Sequence, residues 1–263
     1  MNILVCLKQV PDTNDIKWTE NNSIDRSNLV SILNPKDDET LEFAKKIKSL
    51  RDDVNIIALS MGPIQAKEIL HYAIARGASE AILISDKKFV ASDTWATSYI
   101  ISSAIKKLDL KPDFILCSTS AIDGETGQTP AGIAQFLGFP YLSCVSDFVR
   151  FYQNDNKVLV SQDDGNSKNM VEIEFPVVLA VDSDLEIQPP KVFDYIKSQN
   201  SLVSVYANDY LDINDDYIGL KGSKTLVKKA YKANSKRETT ILYLNDGVSS
   251  ILSSLNLGVS DEN

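Results

Sequence analysis

Five segments of the chain are apolar at nearly every position: NILVCL (2–7), VNIIALS (54–60), AILIS (81–85), DFILC (113–117) and VVLAVDS (177–183). A strand with one face in water alternates polar and apolar residues, and these do not. They require cover on both faces, which is the signature of a parallel sheet. Parallel neighbours need crossover connections, and the intervening segments have helical period. Together they predict a doubly wound α/β fold built on a mainly parallel sheet.

The connecting helices carry their own signals. Asn34 suits an N-cap, Pro35 the first helical position, and Asp37, Asp38 and Glu39 oppose the positive end of the helix dipole. After Gly62-Pro63, the residues Ala66, Ile69, Leu70, Ala73 and Ile74 form one apolar stripe, closed by Gly77. Further helices are expected over 94–108 and 129–138. The stretch from Asp12 to Leu29 reads as a hairpin excursion. From about 145 the texture becomes antiparallel, with VSDFVRFY, VLVSQ and NMVEIEF separated by turn-like residues. Beyond Asp184 the chain is polar and broken by Pro189-Pro190, Gly219 and Gly222. At about 150 residues per domain, 263 residues allow one or two domains. The expected division is a nucleotide-binding type α/β domain at 1–183 and a C-terminal partner-binding arm at 184–263.

Composition excludes several classes. Lys+Arg 27 against Asp+Glu 36 gives a net charge of −9, unsuited to a nucleic-acid footprint or a polybasic membrane patch. Cys6, Cys117 and Cys144 are far apart and lack metal or redox spacing. The single histidine, His71, rules out a multi-histidine metal site and sits within a helical pattern, where packing explains it. No metal site and no catalytic residue is expected. The N-terminal apolar run is too short for a secretory leader, and no stretch reaches the ~18 apolar residues of a membrane span. A cytoplasmic protein is expected.

Ligands of open parallel sheets bind outside the carboxyl ends of the strands. Four loops leave those ends, containing Lys8-Gln9-Val10-Pro11, Ser60-Met61-Gly62-Pro63, Ser85-Asp86 and the stretch Ser118 to Pro130. The last, STSAIDGETGQTP, combines glycines, hydroxyls, Asp123, Glu125 and Gln128 just before a helix. Backbone N–H groups and a helix N-terminus offered there suit a phosphate, and Asp123 suits a ribose hydroxyl or adenine amine. A glycine-rich turn capping a helix accounts for the same residues equally well. Neither GxxxxGK[ST] nor GxGxxG is present, and GLKGSKT (219–225) has the wrong spacing for a Walker motif and no preceding strand.

The order MNILVCLKQVPDT, LNPKDDETLEFAKKIK, IIALSMGPIQAKEILHYAIARGASEAILISD and SAIDGETGQT resembles the β subunit of electron transfer flavoproteins across residues 1–183. The segment IGLKGSKTLV (218–227) is similar to the electron-bifurcating variety. The resemblance implies an adenine-nucleotide α-hydrolase-like fold, an α-subunit partner carrying a flavin, and FAD or, as the alternative, AMP in the β subunit. Carried over residue by residue, it assigns cofactor binding to Cys6, Asn34, Met61, Asp123, Gly124, Thr126, Gly127, Gln128 and Thr129. It assigns partner docking to Val192 and Phe193, and implies a flavin dehydrogenase partner of the acyl-CoA or 2-hydroxy acid type. The bifurcating variety would add NADH and ferredoxin.

The pattern departs from the family in places. Thr119 and Ser120 stand where a large or basic residue and a glutamine are usual. Gln188 replaces the arginine of the family's Glu-Pro-Arg-Tyr stretch, which removes a charge-assisted contact. Val192 takes the place of a docking leucine, and Gly127 and Pro130 differ from the commonest bifurcating loop. Cys6, Met61 and Asn34 each also have plain structural explanations, as strand, loop and cap. The basic residues Lys221, Lys224, Lys228, Lys229 and Lys232 read as a solvated arm or as a contact for an acidic partner face. The rival function is a non-redox adenine-nucleotide sensor of the same fold. An ATP pyrophosphatase is disfavoured, since SGGxDS does not follow the first strand.

Overall fold

The computed structural model describes residues 1–12, 17–18, 24–25, 31–152, 156–226 and 228. Lys229, Lys232 and the rest of the C-terminal segment lie outside the described residues, as does most of the excursion between Asp12 and Leu29. Strand β1 (Asn2–Leu7) is followed by four short strands, β2 (Gln9–Pro11), β3 (Lys17–Trp18), β4 (Ile24–Asp25) and β5 (Ser31–Leu33). These pair antiparallel as β2–β5 and β3–β4, as a hairpin excursion would. Then come α1 (Pro35–Ser49), β6 (Asn55–Met61), α2 (Lys67–Ala75), β7 (Glu80–Ile84), α3 (Thr94–Lys107), β8 (Phe114–Ser118) and α4 (Thr129–Leu137). The antiparallel part is β9 (Tyr141–Phe151), β10 (Lys157–Asp163) and β11 (Lys168–Glu174), and β12 (Val177–Val181) returns to the centre.

Residues beyond 184 contribute α5 (Val192–Ser198), β13 (Ser204–Tyr206), α6 (Asn208–Leu211) and α7 (Gly219–Gly222). The main sheet has nine strands in the order β11-β10-β9-β12-β8-β1-β6-β7-β13. All pairings from β9 across to β13 are parallel, and β9–β10 and β10–β11 are antiparallel. The doubly wound α/β fold expected from the apolar runs is the fold observed.

Both faces of the sheet are covered, as the non-alternating strands require. Ile3, Val5 and Leu7 of β1 join Leu41, Phe43, Ala44 and Ile47 of α1 and Leu70 and Ala73 of α2 in one buried cluster. Leu4 of the same strand joins Ile100, Ile101, Ala104 and Ile105 of α3 and Ile133 of α4 in the other. Strand order reverses beside β1: the chain runs outward through β6 and β7, then crosses back to β8. The carboxyl ends of β1 and β8 therefore flank the topological switch point, where ligands of such sheets bind.

Two differences from expectation have physical causes. Strand β9 starts at Tyr141, four residues earlier than its alternation suggests. Its first part pairs parallel with β12 and its later part antiparallel with β10, with register shifts in both ladders. Residues beyond 184, read as a polar arm for a partner chain, show no strand signal in the sequence. The three residues of β13 instead add a parallel edge strand to β7, with Tyr206 O accepting from Ser85 N at 3.0 Å. Val203, Leu211, Ile213 and Ile218 are buried as a result, whereas Leu202 (83% exposed) and Tyr210 (57%) are not. So short a strand gives no periodic signal. Met1–Lys228 form one compact unit.

Candidate functional site

Strand β1 ends at Leu7, β8 ends at Ser118, and α1 begins beside them, so three chain segments converge at the switch point. Asn34 sits at the N-cap position of α1, fully buried, but its side chain does not cap the helix. Its Nδ2 instead donates to Asp37 Oδ1 (3.0 Å), Ser118 Oγ (3.3 Å) and Ser120 O (3.1 Å). Its Oδ1 accepts from Ile122 N (3.3 Å). The amide thus braces the loop that follows β8 instead of capping α1. Truncating it to Ala would leave two part-buried backbone groups of that loop without this partner, at about 1–3 kcal/mol each at most.

Asp37 is the hidden partner. Its carboxylate accepts from Lys8 N (2.6 Å), Ser118 Oγ (2.5 Å) and Asn34 Nδ2 (3.0 Å), which ties the ends of β1 and β8 to α1. Burial pushes its pKa up to about 6, against these hydrogen bonds and the Lys8 charge. In the sequence Asp37 reads only as a dipole-opposing acid. A further signal is present: Asp37 lies at i, with Thr40, Leu41 and Ala44 at i+3, i+4 and i+7 on the buried face. A carboxylate on an apolar stripe needs partners, and Ser118 and Lys8 supply them.

The loop from Thr119 to Gln128 lies over this cluster. Residues Ile122–Gly124 form a turn, with Gly124 N and Glu125 N both donating to Ala121 O (3.1 and 2.8 Å). Asp123 is exposed and receives Lys8 Nζ at 2.7 Å. Gly127 has φ +62, and a Cβ there would lie 2.9 Å from Thr119 O, so any side chain would force the loop open. Gln128 precedes α4 without a side-chain cap, which leaves the first N–H groups of that helix without a side-chain acceptor. Thr126 and Gln128 are exposed, Gly124 is exposed, and Thr129 opens α4 with its carbonyl accepting from Ser98 Oγ (3.0 Å).

The remaining assigned positions are less integrated. Cys6 is partly exposed on β1, one residue beyond the Val5–Leu116 pair, so it neighbours Cys117. The hydrogen bond with Cys6, and then burial, push the Cys117 thiol up, which keeps it protonated and unreactive. Met61 ends β6 opposite Ile84 and packs against the α3-side core. Val192 and Phe193 lie apart from this cluster, in the first turn of α5, and are 76% and 75% exposed. His71 is structural, its Nδ1 lying 2.8 Å from Ser198 O at the end of α5.

The Walker-like GLKGSKT segment is engaged with a carboxylate of its own chain. Asp93 Oδ2 accepts from Lys224 N (2.7 Å), Thr225 N (2.8 Å) and Thr225 Oγ1 (2.9 Å). Its Oδ1 caps α3 through Ala96 N (2.9 Å). The Lys224 ammonium lies 4.3 Å from the Trp95 ring centroid. Among the described residues no group of histidine, cysteine and acidic side chains is placed to hold a metal, and no helix is long and apolar enough to cross a membrane.

Residues 22–192 match the electron transfer flavoprotein domain. The chain is 36% identical over 253 residues to electron transfer flavoprotein subunit beta of Megasphaera elsdenii, covering 94% of this chain and 93% of the other. It is 34% identical over 238 residues to the caffeyl-CoA reductase-Etf complex subunit CarD of Acetobacterium woodii, covering 90% and 89%. It is 34% identical over 249 residues to the acryloyl-CoA reductase electron transfer subunit gamma of Anaerotignum propionicum, covering 90% of each.

Proposed function

The chain belongs to the electron transfer flavoprotein β-subunit family, and from that premise we propose that it holds FAD at the ends of β1 and β8 and pairs with an electron transfer flavoprotein α subunit. Family membership favours an electron-transfer role over the non-redox sensor. The observation that carries the nucleotide assignment is the loop geometry. The loop combines a left-handed Gly127, an uncapped α4 N-terminus and exposed Asp123, Thr126 and Gln128, and its first part is braced from below by buried Asn34 at Ser120 and Ile122. These donors and acceptors match the chemistry of a phosphate and a ribose.

Asn34 would hold the loop in register. The backbone N–H groups of Gly127 and Thr129, with Thr126 Oγ1 and the Gln128 amide, would serve the phosphates, and Gly124, without a side chain, would leave room beside them. Asp123 would accept from a ribose hydroxyl, and Cys6 and Met61 would border the adenine. Bound there, the flavin supplies the redox chemistry, and no side chain of this chain need act as acid, base or nucleophile.

On the partner side, Val192, Phe193 and Ile196 (60% exposed) give the short helix α5 an uncovered apolar face. We assign that face to a flavin dehydrogenase of the acyl-CoA or 2-hydroxy acid class, in keeping with the acyl-CoA reductases named for two relatives. The resemblance of residues 218–227 extends the proposal to NADH as donor and ferredoxin as one acceptor. The arm from 184 onward, with Leu202 and Tyr210 exposed, is proposed to meet the α subunit.

The test is to denature the purified heterodimer and identify what is released. Two FAD per heterodimer is the expected result, and one FAD with one AMP would retain the site but change its occupant. One FAD and no second nucleotide would overturn the assignment. Phe193→Ala should raise the KM for the dehydrogenase while leaving nucleotide content unchanged.

A further inference from the structure

The orientation of a buried amide is fixed by what its neighbours can give and take. Asn34 has one such neighbour that leaves no choice. The Asp37 carboxylate, ionised, only accepts, and it already holds Lys8 N and Ser118 Oγ. The Asn34 Nδ2 must therefore face Asp37, and its Oδ1 must face the other way, where it meets the Ile122 N–H. The second Nδ2 hydrogen reaches Ser120 O. Through this chain of constraints one carboxylate below the loop dictates the pairing of two backbone groups within it.

We propose that Asp37 is a positioning residue for nucleotide binding: it sets the direction of the Asn34 amide and, through it, the conformation of the loop from Ser118 to Asp123. The inference rests on the assignment of that loop to a nucleotide. Asp37 need not touch the ligand, since its carboxylate oxygens are taken up by Lys8, Ser118 and Asn34.

Hydrogen-bond polarity makes the inference sharp. In Asp37→Asn the new amide must keep its oxygen toward the fixed Lys8 N–H, which turns its NH2 group toward Asn34 Nδ2. Two donors then oppose each other. Asn34 relieves the conflict only by flipping, which points its NH2 group at the Ile122 N–H and moves the conflict into the loop. Exchanging the two residues, Asn34→Asp with Asp37→Asn, restores the polarity between positions 34 and 37 and toward the Ile122 N–H, and leaves one mismatch, a position-34 oxygen against Ser120 O. The carboxylate at position 34 then accepts from both the new amide at position 37 and the Ile122 N–H.

The experiment uses the intact heterodimer and reads FAD and AMP retained per heterodimer, with AMP affinity measured by titration. The α-subunit flavin content reports folding of the assembly. Asp37→Asn should weaken nucleotide binding about ten- to a hundredfold, the loss of one or two hydrogen bonds at the loop. The exchanged double variant should recover part of that loss, since it re-forms the contacts at position 37 and Ile122 but not the one to Ser120 O, and a merely destabilised fold would recover none. Wild-type affinity in Asp37→Asn, or a double variant no better than the single one, would overturn the inference. Asp123→Ala separates its failure from that of the nucleotide assignment. If that variant loses nucleotide while Asp37→Asn keeps it, only the positioning role has failed. If neither loses nucleotide, the assignment has failed and the positioning role with it.

Discussion

Asp37 and Asp38 are neighbours in the first turn of α1, and they enter two different polar clusters. Asp37 is satisfied by the Lys8 backbone N–H, a hydroxyl and an amide, with no cation in contact among the described residues. Asp38 pairs with Arg76, whose side chain is fully buried and which also pairs with Glu42. Tyr72 OH accepts from Arg76 (3.0 Å) and donates to Asp38 (3.0 Å), and Lys45 adds a second cation to Glu42 (2.9 Å). Burial raises both aspartates, but at Asp38 the Arg76 charge opposes it strongly. Burial also opposes ionisation of Glu42, yet hydrogen bonds from Lys45 and Arg76 hold that group below its usual value. The Arg76 cluster is charge-compensated and serves to join α1 to α2. The Asp37 cluster is held by neutral donors, with the Lys8 charge acting only from a distance, and each donor belongs to a segment bordering the proposed nucleotide. A buried charge held by neutral groups is the costlier arrangement, and its place beneath the proposed nucleotide loop fits a positioning role.

The largest effect should come from breaking the charged cluster. Arg76→Met leaves Asp38 and Glu42 without their buried cation, and stability should fall by about 3–5 kcal/mol. Nucleotide stoichiometry in whatever folds should be unchanged. Loss of nucleotide in proportion to stability, in denaturant titrations followed by cofactor content, would show that the two clusters are not separate.

Next comes a pH effect of definite sign. The folded value of Asp37, about 6, lies above the ordinary value of 3.8, so the native state binds the extra proton between them. Stability tied to this group is therefore fully present below about pH 4 and lost as pH rises through about 6, by on the order of 3 kcal/mol. Subtracting the Asp37→Asn stability profile from the wild-type profile should isolate that falling limb. A flat difference would mean that the hydrogen bonds to Asp37 offset its burial fully and that its carboxyl is not raised.

A smaller change sharpens the contrast. Tyr72→Phe removes one hydroxyl from the charged cluster but leaves the ion pairs, so it should cost about 0.5–1.5 kcal/mol and no nucleotide. Thermal melting with cofactor assay checks both halves.

Much of this is legible in the sequence before the fold is seen. Unalternating runs such as NILVCL and VVLAV announce buried parallel strands, and the switch point directs attention to the loop after β8. Asp123 follows from that loop logic, whereas Asn34 reads as a helix cap and enters the candidate site only through family resemblance. Asp37 escapes notice because acidic residues at helix N-termini have an ordinary electrostatic explanation, which hides its place on the apolar face. The strand at 204–206 escapes because three residues carry no period, and its pairing with β7 is a tertiary fact. The pairing of Arg76 with Asp38 and Glu42 joins two helices, and local sequence cannot encode it.

The central claim is that the loop after β8 cradles a nucleotide rather than merely capping α4, and nucleotide stoichiometry in loop variants tests it most directly. Asp123→Ala removes an exposed acceptor that pairs with Lys8, and Thr126→Val removes an exposed hydroxyl at similar volume. Each should weaken the β-subunit nucleotide about ten- to a hundredfold, by about 1.5–3 kcal/mol, with little change in melting temperature and with the α-subunit flavin retained. Variants that melt early yet keep their full complement of β-subunit nucleotide would contradict the claim and return the loop to a helix cap.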